Sequence, residues 1–322
     1  MSVINTPRPL RWLGSTLLAV GFLVVLAWLT GQIMLDRTWW SQWLLWIPHP
    51  VLLPTGLLIW FGLWLRRSKW AWLGLLVAAA GPLFYAILLW SPSRATTPNN
   101  SISVLHWTAG PILGHPEPYG NFIVSQDPDI VIVEGARRAA MTNAFRKWSR
   151  DAHVALRGPF LIASKLPIQT LRTVAWANDI LLLVLVVELE DGSPLQFLIV
   201  DLPSDPQLSR ASVMAATREF LGRLEITPDI VLGDFNLTQQ SAQLPGFLPG
   251  MTPNWGQDGH GWGGTYPRSL PMYRLDHVLS NKRTQPWLVQ QITTTDPGVG
   301  RHRSQLILLE TNPPQGLPAS SQ

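Results

Sequence analysis

The hydropathy of the chain changes character near residue 95. Before that point, Trp12–Leu35 and Trp70–Trp90 each run without a charged residue. A bilayer-crossing helix needs about 20 apolar residues, and both stretches qualify. Thr38–Leu65 is also uncharged but is interrupted by Pro48, Pro50 and Pro54. Leu44–Leu65 is therefore expected as a third, kinked span. Trp39, Trp40, Trp43 and Trp46 read as an interfacial aromatic belt. The first run is too long for a signal peptide's apolar segment, and two more follow it.

After the polar Pro/Ser/Thr/Asn stretch Ser91–Asn100 the runs shorten. Short continuous apolar runs predict buried strands over Ser103–Trp107, Ile130–Glu134, Phe160–Ser164, Ile168–Ala175, Ile180–Leu189, Leu195–Asp201, Leu275–Ser280, Val289–Thr295 and Ser304–Glu310. Helical spacing predicts a short helix ending at Asn121–Gln126 and one helix over Arg137–Arg150, with Ala140, Ala144 and Trp148 on one side. A third helix is expected over Ser209–Leu224, with an apolar stripe of Val213, Thr217, Phe220, Leu221 and Leu224. From Asn236 to Pro271 the chain is irregular and rich in Gly, Pro and Trp. Its Trp255, Trp262 and Tyr266 shape a substrate pocket or serve as packing, and the sequence does not separate the two. The expected organisation is a membrane anchor of about three transmembrane helices (1–92), a linker (93–100), a globular domain (101–311) and a disordered tail (312–322). Consecutive strands with few helices between them imply antiparallel or mixed sheets covered by helices.

Charge changes this picture only once it is divided. The net charge of +4 splits into seven Lys+Arg against one acid in residues 1–94, and 17 against 19 in residues 95–322. The basicity belongs to the apolar part, so the globular part is not a broadly basic nucleic-acid binder. With three spans, Arg8, Arg11, Arg66, Arg67 and Lys69 share one side, and Arg37 and Arg94 the other. That bias places the globular domain on the extracytoplasmic side of an integral membrane protein. The absence of cysteine excludes a disulfide framework, a thiolate nucleophile and a Cys-ligated zinc. Arg137, Arg138, Arg146, Lys147 and Arg150 are expected as a solvated helix face, or as a surface that steers an anionic substrate or touches lipid headgroups.

Candidate chemistry centres on Thr227–Thr238, TPDIVLGDFNLT. A buried strand ends there in Gly233, Asp234 and Asn236, and polar groups just past such strands form sites in α/β proteins. Asp127–Gly135, DPDIVIVEG, repeats the pattern and ends in Glu134. Two similar strands, each delivering a carboxylate, point to duplicated halves with one site between them.

The polar clusters, in order, resemble those of the endonuclease/exonuclease/phosphatase superfamily of metal-dependent phosphoesterases. The matching stretches are SVLHWTAG (103–110), DPDIVIVEG (127–135), FLIASKLPI (160–168), FLIVDLPS (197–204), PDIVLGDFN (228–236), TYPRSLPMYRLDHVLS (265–280) and VGRHRS (299–304). Gly-Asp-Phe-Asn together with Arg-Leu-Asp-His carries most of the specificity. The resemblance implies an α/β (α+β) four-layer sandwich of two mixed β-sheets flanked by helices. It implies Glu134 as a metal ligand for Mg²⁺ or Mn²⁺, and Asp234 as the group that orients or activates water. It further implies Asn236 as a donor to the phosphoryl group, and His302 at the scissile phosphate with Asp276 as its partner. His277, next along the strand, points to the opposite face.

Three positions depart from the family pattern. Thr108 stands where an asparagine is usual, Asp201 where a histidine is usual, and Arg301 where an aspartate is usual. The last two are opposite in sign, so Asp201 is expected as a metal ligand and Arg301, with Thr108, as a substrate contact. The expected function is a membrane-anchored, divalent-metal-dependent hydrolase (a phosphodiesterase, nuclease or phosphatase) acting on a phosphate-ester substrate. Nucleic acid, a phospholipid headgroup in the lipid bilayer, and a sugar phosphate all remain open as substrates. The rival reading is a catalytically silent phosphate- or headgroup-binding module on the same fold. No feature of the sequence identifies a protein partner.

Overall fold

The computed structural model describes residues 7–92, 101–223, 227–281 and 287–311. The linker expected at 93–100, the tail at 312–322 and Leu224 of the helical stripe lie outside the described residues. The chain divides into two compact units, Met1–Leu89 with Ser209–Ala211, and Trp90–Leu208 with Ser212–Gln322.

The first unit holds helices α1 (Arg8–Met34), α2 (Trp39–Leu45), α3 (Leu52–Leu65, entered through a 3₁₀ turn at His49–Val51) and α4 (Trp72–Leu89). Helices α1 and α4 are each long and apolar enough to cross a membrane. The expected middle span is not one kinked helix over Leu44–Leu65. It breaks at Trp46–Pro48, and the two pieces are bent by 66°. Pro48 and Pro50 lack the N–H groups a continuous helix needs, and a Thr38–Ser41 capping box fixes α2 as a separate element.

Glycines decide how the long helices meet. A Cβ on Gly14 would lie 2.8 Å from the Gly62 carbonyl oxygen, and one on Gly31 would lie 2.3 Å from the Leu44 carbonyl carbon. Arg66 also reaches the Ser15 hydroxyl. Helix α3 therefore runs back along α1 toward its N-terminal end. A Cβ on Gly56 would sit 2.1 Å from Ala78 N, and one on Gly81 2.3 Å from His49 O. Helix α4 thus runs antiparallel to α3. Such close approach through small residues is how helices associate where no hydrophobic effect drives them together.

The second unit contains strands β1 (Trp90–Ser91), β2 (Ile102–Thr108), β3 (Ile130–Glu134), β4 (His153–Arg157), β5 (Phe160–Ser164), β6 (Ile168–Ala177), β7 (Ile180–Glu188) and β8 (Pro194–Asp201). These are followed by β9 (Ile230–Asp234), β10 (Thr252–Pro253), β11 (Gly259–Trp262), β12 (Asp276–Ser280), β13 (Trp287–Thr295) and β14 (Ser304–Thr311). One sheet has the order β1-β11-β13-β14-β2-β3-β5-β4, and the other β10-β12-β9-β8-β7-β6. Both are mixed, with β2 parallel to β3 and β8 parallel to β9.

Alternation along the strands builds the layers. Ile130 and Ile132 face Leu183, Leu185, Phe197 and Ile199 between the sheets. Val131 and Val133 face the other way, onto Tyr119 and Ile123 of helix α5 (Glu117–Gln126) and Phe145 of α6 (Asn143–Trp148). The second sheet packs Leu198, Val200 and Val231 against Val213, Met214 and Leu221 of α7 (Arg210–Leu221). Both faces of each central strand are buried, which explains the continuous apolar runs. The expected four-layer sandwich is present.

The repeated Pro-Asp-Ile-Val also has a local function. Asp129 accepts hydrogen bonds from the Ser103 amide and hydroxyl, and Asp229 from the Gln196 amide. Each aspartate ties the start of its strand to the parallel strand beside it and so sets the register. Register then decides which carboxylates become neighbours at the far end.

Three local expectations are corrected. The single helix over Arg137–Arg150 is a 3₁₀ turn (Arg137–Met141), α6 and a second 3₁₀ turn (Ser149–Asp151). Thr142 is extended and its side chain caps α6 through the Phe145 amide, which ends one helix and begins another. Strand β4 was not expected, because on a half-exposed edge its short pattern carries no buried run. The loop after Asn236 contains α8 (Trp255–Asp258), β10 and β11. There Trp255 is packing, its ring 4.1 Å from the Arg274 guanidinium.

Candidate active site

The two sheets bring their polar strand ends together. In the second sheet, Asp201 pairs with Asp234 across β8–β9, and Asp234 with Asp276 across β9–β12. Three carboxylates thus stand side by side on adjacent strands. In the first sheet, Thr108 pairs with Glu134 across β2–β3. The sheets meet where the Thr108 hydroxyl donates to Asp276 Oδ1 at 2.6 Å. The polar ends of the similar strands β3 and β9 therefore lie at the same end of the two sheets.

His302 arrives from the loop before β14. Trp107 Nε1 donates to the His302 carbonyl at 3.1 Å, and the Arg301 amide donates to the Ala109 carbonyl at 3.0 Å. The pinned ring places Nδ1 2.7 Å from Asp276 Oδ2, while Nε2 lies 3.9 Å from Asp234 Oδ2. Tyr266 packs its ring 4.9 Å from that of His302, so this residue of the irregular loop lines the site while Trp255 does not. Asn236 has a left-handed backbone, φ 48°. Its amide N–H donates to Asp234 Oδ1, and its side-chain nitrogen donates to the Leu202 carbonyl. His277 points away as expected, its Nε2 2.9 Å from the Leu237 carbonyl oxygen. Arg301 is exposed, and its aliphatic stem lies over Gly110, whose φ is 69°.

Electrostatics separate these groups into two sets. Burial pulls the His302 imidazole down, but the charge and hydrogen bond of Asp276, with Asp234 behind it, more than compensate and push it up to about 9. Burial pushes Asp276 up, and His302, His106 and the Thr108 hydroxyl outweigh it, holding the carboxyl well below the usual range. Asp276 and His302 are thus an ion pair. Among the described residues the other carboxylates are less compensated: His302 Nε2 stands 3.9 Å from Asp234, too far for a hydrogen bond. Burial, then Asp276, pushes Asp234 up to about 8. Burial, then Asp179, pushes Asp201 up to about 7. Burial, with Asp201, Asp234 and Asp276, raises Glu134 well above the carboxylate range.

A cluster of crowded, raised carboxylates is the donor set a hard divalent cation favours, since the cation supplies the missing positive charge. Asp234, Asp276 and His302 each offer a ligand atom within 4.8 Å of the others, a group able to hold a metal ion. Of these three, His302 Nδ1 is already engaged with Asp276 Oδ2 at 2.7 Å.

The sequence reading missed three buried polar groups beneath the site. His106 shares the face of Thr108 on β2 and is held neutral, pulled down to about 4 chiefly by burial. Arg274 donates to the Gly263 carbonyl and to Gln305 Oε1, and Gln305 Nε2 donates to the Asp276 carbonyl. Strand alternation carried a signal for His106, two residues before Thr108. Arg274 and Gln305 meet only in the fold.

The sequence profile of the Endonuclease/Exonuclease/phosphatase family matches residues 119–297, more than half of the chain. Thr108, Arg301 and His302 fall outside that stretch. No curated protein matches the chain in sequence. Among solved structures, an endonuclease/exonuclease/phosphatase family protein from Bacteroides thetaiotaomicron is similar, with a TM-score of 0.52 and 13% identity over 66% of this chain and 98% of that one. The human Nocturnin catalytic domain with bound sulfate gives 0.48 and 14%, over 66% and 95%. A 3′-5′ exonuclease from Neisseria meningitidis gives 0.46 and 15%, over 66% and 100%.

Proposed function

Since the chain belongs to the Endonuclease/Exonuclease/phosphatase family, we propose that it is a membrane-anchored, divalent-cation-dependent phosphoesterase that hydrolyses a phosphate mono- or diester by in-line attack of water. The observation that carries this reading is the division of the site into one ion pair, Asp276–His302, and three raised carboxylates beside it.

Glu134 and Asp201 hold the cation, Mg²⁺ or Mn²⁺. When bound, it neutralises phosphoryl oxygens and so eases attack on phosphorus. Asp234 orients the attacking water and takes its proton, a step that needs the ionised carboxylate. The His302 imidazolium, fixed by Asp276, faces the developing negative charge on the phosphoryl group. Asn236 adds an amide to the same region, and Arg301 adds a fixed cation at the rim. The hydroxyl of Thr108, read from sequence as a substrate contact, is used on Asp276. Its role is to position the Asp276–His302 pair.

The test is turnover of a soluble phosphodiester such as bis-p-nitrophenyl phosphate by the full chain in detergent. Hydrolysis with Mg²⁺ or Mn²⁺ that EDTA abolishes is the expected result. Phosphate binding without turnover would make the domain a silent binding module. The same protein yields a stability readout. The folded values of Asp201 and Asp234, about 7 and 8, lie above the unfolded value near 4. Without cation, their contribution to stability is lost as pH rises through that window. Mg²⁺ favours the ionised forms, so it should raise Tm more at pH 8 than at pH 5.

The proposed side of the membrane is extracytoplasmic. The antiparallel course of α1, α3 and α4 supports three crossings, and the Lys/Arg bias supports a cytoplasmic N-terminus. An alkaline phosphatase fusion after Glu310 should be active. A silent fusion, with a cytoplasmic reporter active at that point, would reverse the assignment.

A further inference from the structure

Strand register identifies which loops share the end of the sandwich where the carboxylates lie. Asp201 pairs with Leu181 and Glu134 with Phe160, so the β6–β7 turn and the β4–β5 turn are at that end. The loop after Thr108 and the loop leading to Asp276 are there by direct succession. Each of three of these segments carries a large apolar side chain in solvent. Leu113 is 82% exposed in the loop after β2, Trp176 66% at the end of β6, and Leu270 63% in the loop before β12. They belong to different segments of one rim at the end where the carboxylates lie.

The same register locates the point where the chain enters the domain. Strand β11 runs parallel to β13, and β13 ends at Thr295 opposite Ser304, at the site end of its sheet. Trp90 pairs with Trp262, the last residue of β11. Trp90 is therefore at the site end too, and it is exposed. The residue bonded to it, Leu89, closes the apolar helix α4. In the strand order, β1 lies four places from β2, a lateral distance of about 20 Å at the usual strand spacing.

We infer that the site takes a phosphoester carried in a lipid headgroup, with the rim of Leu113, Trp176 and Leu270 docked into the bilayer surface that holds the substrate. This rests on the phosphoesterase reading above and names its substrate class. In the reaction, water oxygen bonds to phosphorus, one phosphorus–oxygen ester bond breaks, Asp234 takes the water proton, and solvent water returns a proton to the departing alcohol oxygen. Exposed Arg137, Arg138, Arg157 and Arg301 stand at this end against exposed Glu117, Asp179, Asp205 and Asp296. These charges balance, so apolar insertion dominates and docking depends only weakly on salt. Aromatic and aliphatic tips of this kind occupy the boundary between headgroups and acyl chains.

The chain has no cysteine, so single probes can be placed in the full-length protein reconstituted in phosphatidylglycerol/phosphatidylcholine vesicles. Leu113→Cys and Leu270→Cys, labelled with an environment-sensitive fluorophore, should shift to the blue and be quenched by spin-labelled lipid. Glu190→Cys, exposed in the β7–β8 turn at the opposite end, should behave as in water. The parent should release a water-soluble phosphorylated headgroup or phosphate from the vesicle lipid. Leu113→Ser with Leu270→Ser should slow that release at least tenfold, while turnover of bis-p-nitrophenyl phosphate stays with the parent. Rim probes that match Glu190→Cys would overturn the docking. Inserted probes with no lipid hydrolysis, in a protein that turns over the soluble diester, would overturn the substrate class. Both leave the phosphoesterase reading standing, and loss of soluble turnover in the parent would remove that reading instead.

Discussion

Asp234→Asn is expected to lower hydrolysis of a soluble phosphodiester by about 10²–10⁴-fold, the usual worth of a positioned general base. The stability of the same variant should move the other way. Asp234 is 5% exposed and sits between Asp201 and Asp276 in adjacent strands. Its carboxyl is pushed up to about 8, by burial first and by Asp276 next, so ionising it in the protein without cation is unfavourable. An amide of the same shape still accepts the hydrogen bond from the Asn236 amide and removes the charge. Tm at pH 8 in EDTA should therefore be unchanged or higher. A site kept at some cost to stability is the usual signature of function. Rates within about threefold of the parent would reject Asp234 as the base. A fall in both rate and Tm would mean the residue is structural.

Gly233→Ala is expected to destabilise the second unit by more than about 3 kcal/mol, combining backbone overpacking with an unfavourable left-handed φ. Gly233 has φ 150°, and a Cβ there would lie 1.8 Å from the Val200 carbonyl oxygen. That oxygen belongs to β8, the strand paired with β9 through the site. Relief would require moving β8 from β9, and Asp201 from Asp234. Gly192→Ala is the comparison: φ is 80° but nothing lies within 4 Å, so only the conformational term applies, about 1–2 kcal/mol. Urea unfolding followed by near-ultraviolet circular dichroism measures both. Similar losses in the two variants would show that the close approach in β9 is not what requires glycine.

The legibility of the chain differed from region to region for identifiable reasons. The strands over Ile130–Glu134 and Ile230–Asp234 were plain because both faces are buried, which leaves an unbroken apolar run. Strand β4 was invisible because Val154 and Leu156 lie on an exposed edge, where little selects an apolar pattern. The break inside Arg137–Arg150 turned on the Thr142 hydroxyl reaching one backbone amide, a contact that helical spacing does not encode. The middle apolar segment had the prolines of a kink, but whether it bends or restarts depended on capping and on glycine contacts with its neighbours.

The candidate site divides in the same way. Residue pattern by itself determined the apolar helices, the two strand-borne carboxylates and their family, because periodicity and local motifs are properties of contiguous residues. It also supplied Asp276, His302 and Asn236 as members of one constellation. Only the tertiary structure decided that Thr108 serves Asp276, that Trp255 is packing while Tyr266 faces His302, and that Leu113, Trp176, Leu270 and Trp90 share one end with the carboxylates. Those facts follow from strand register and from side chains that meet across gaps such as the 168 residues between Thr108 and Asp276. Burial then sets the charges: the same carboxyl group is held down beside His302 and raised without such a partner, because removing water makes each neighbour's charge count for more.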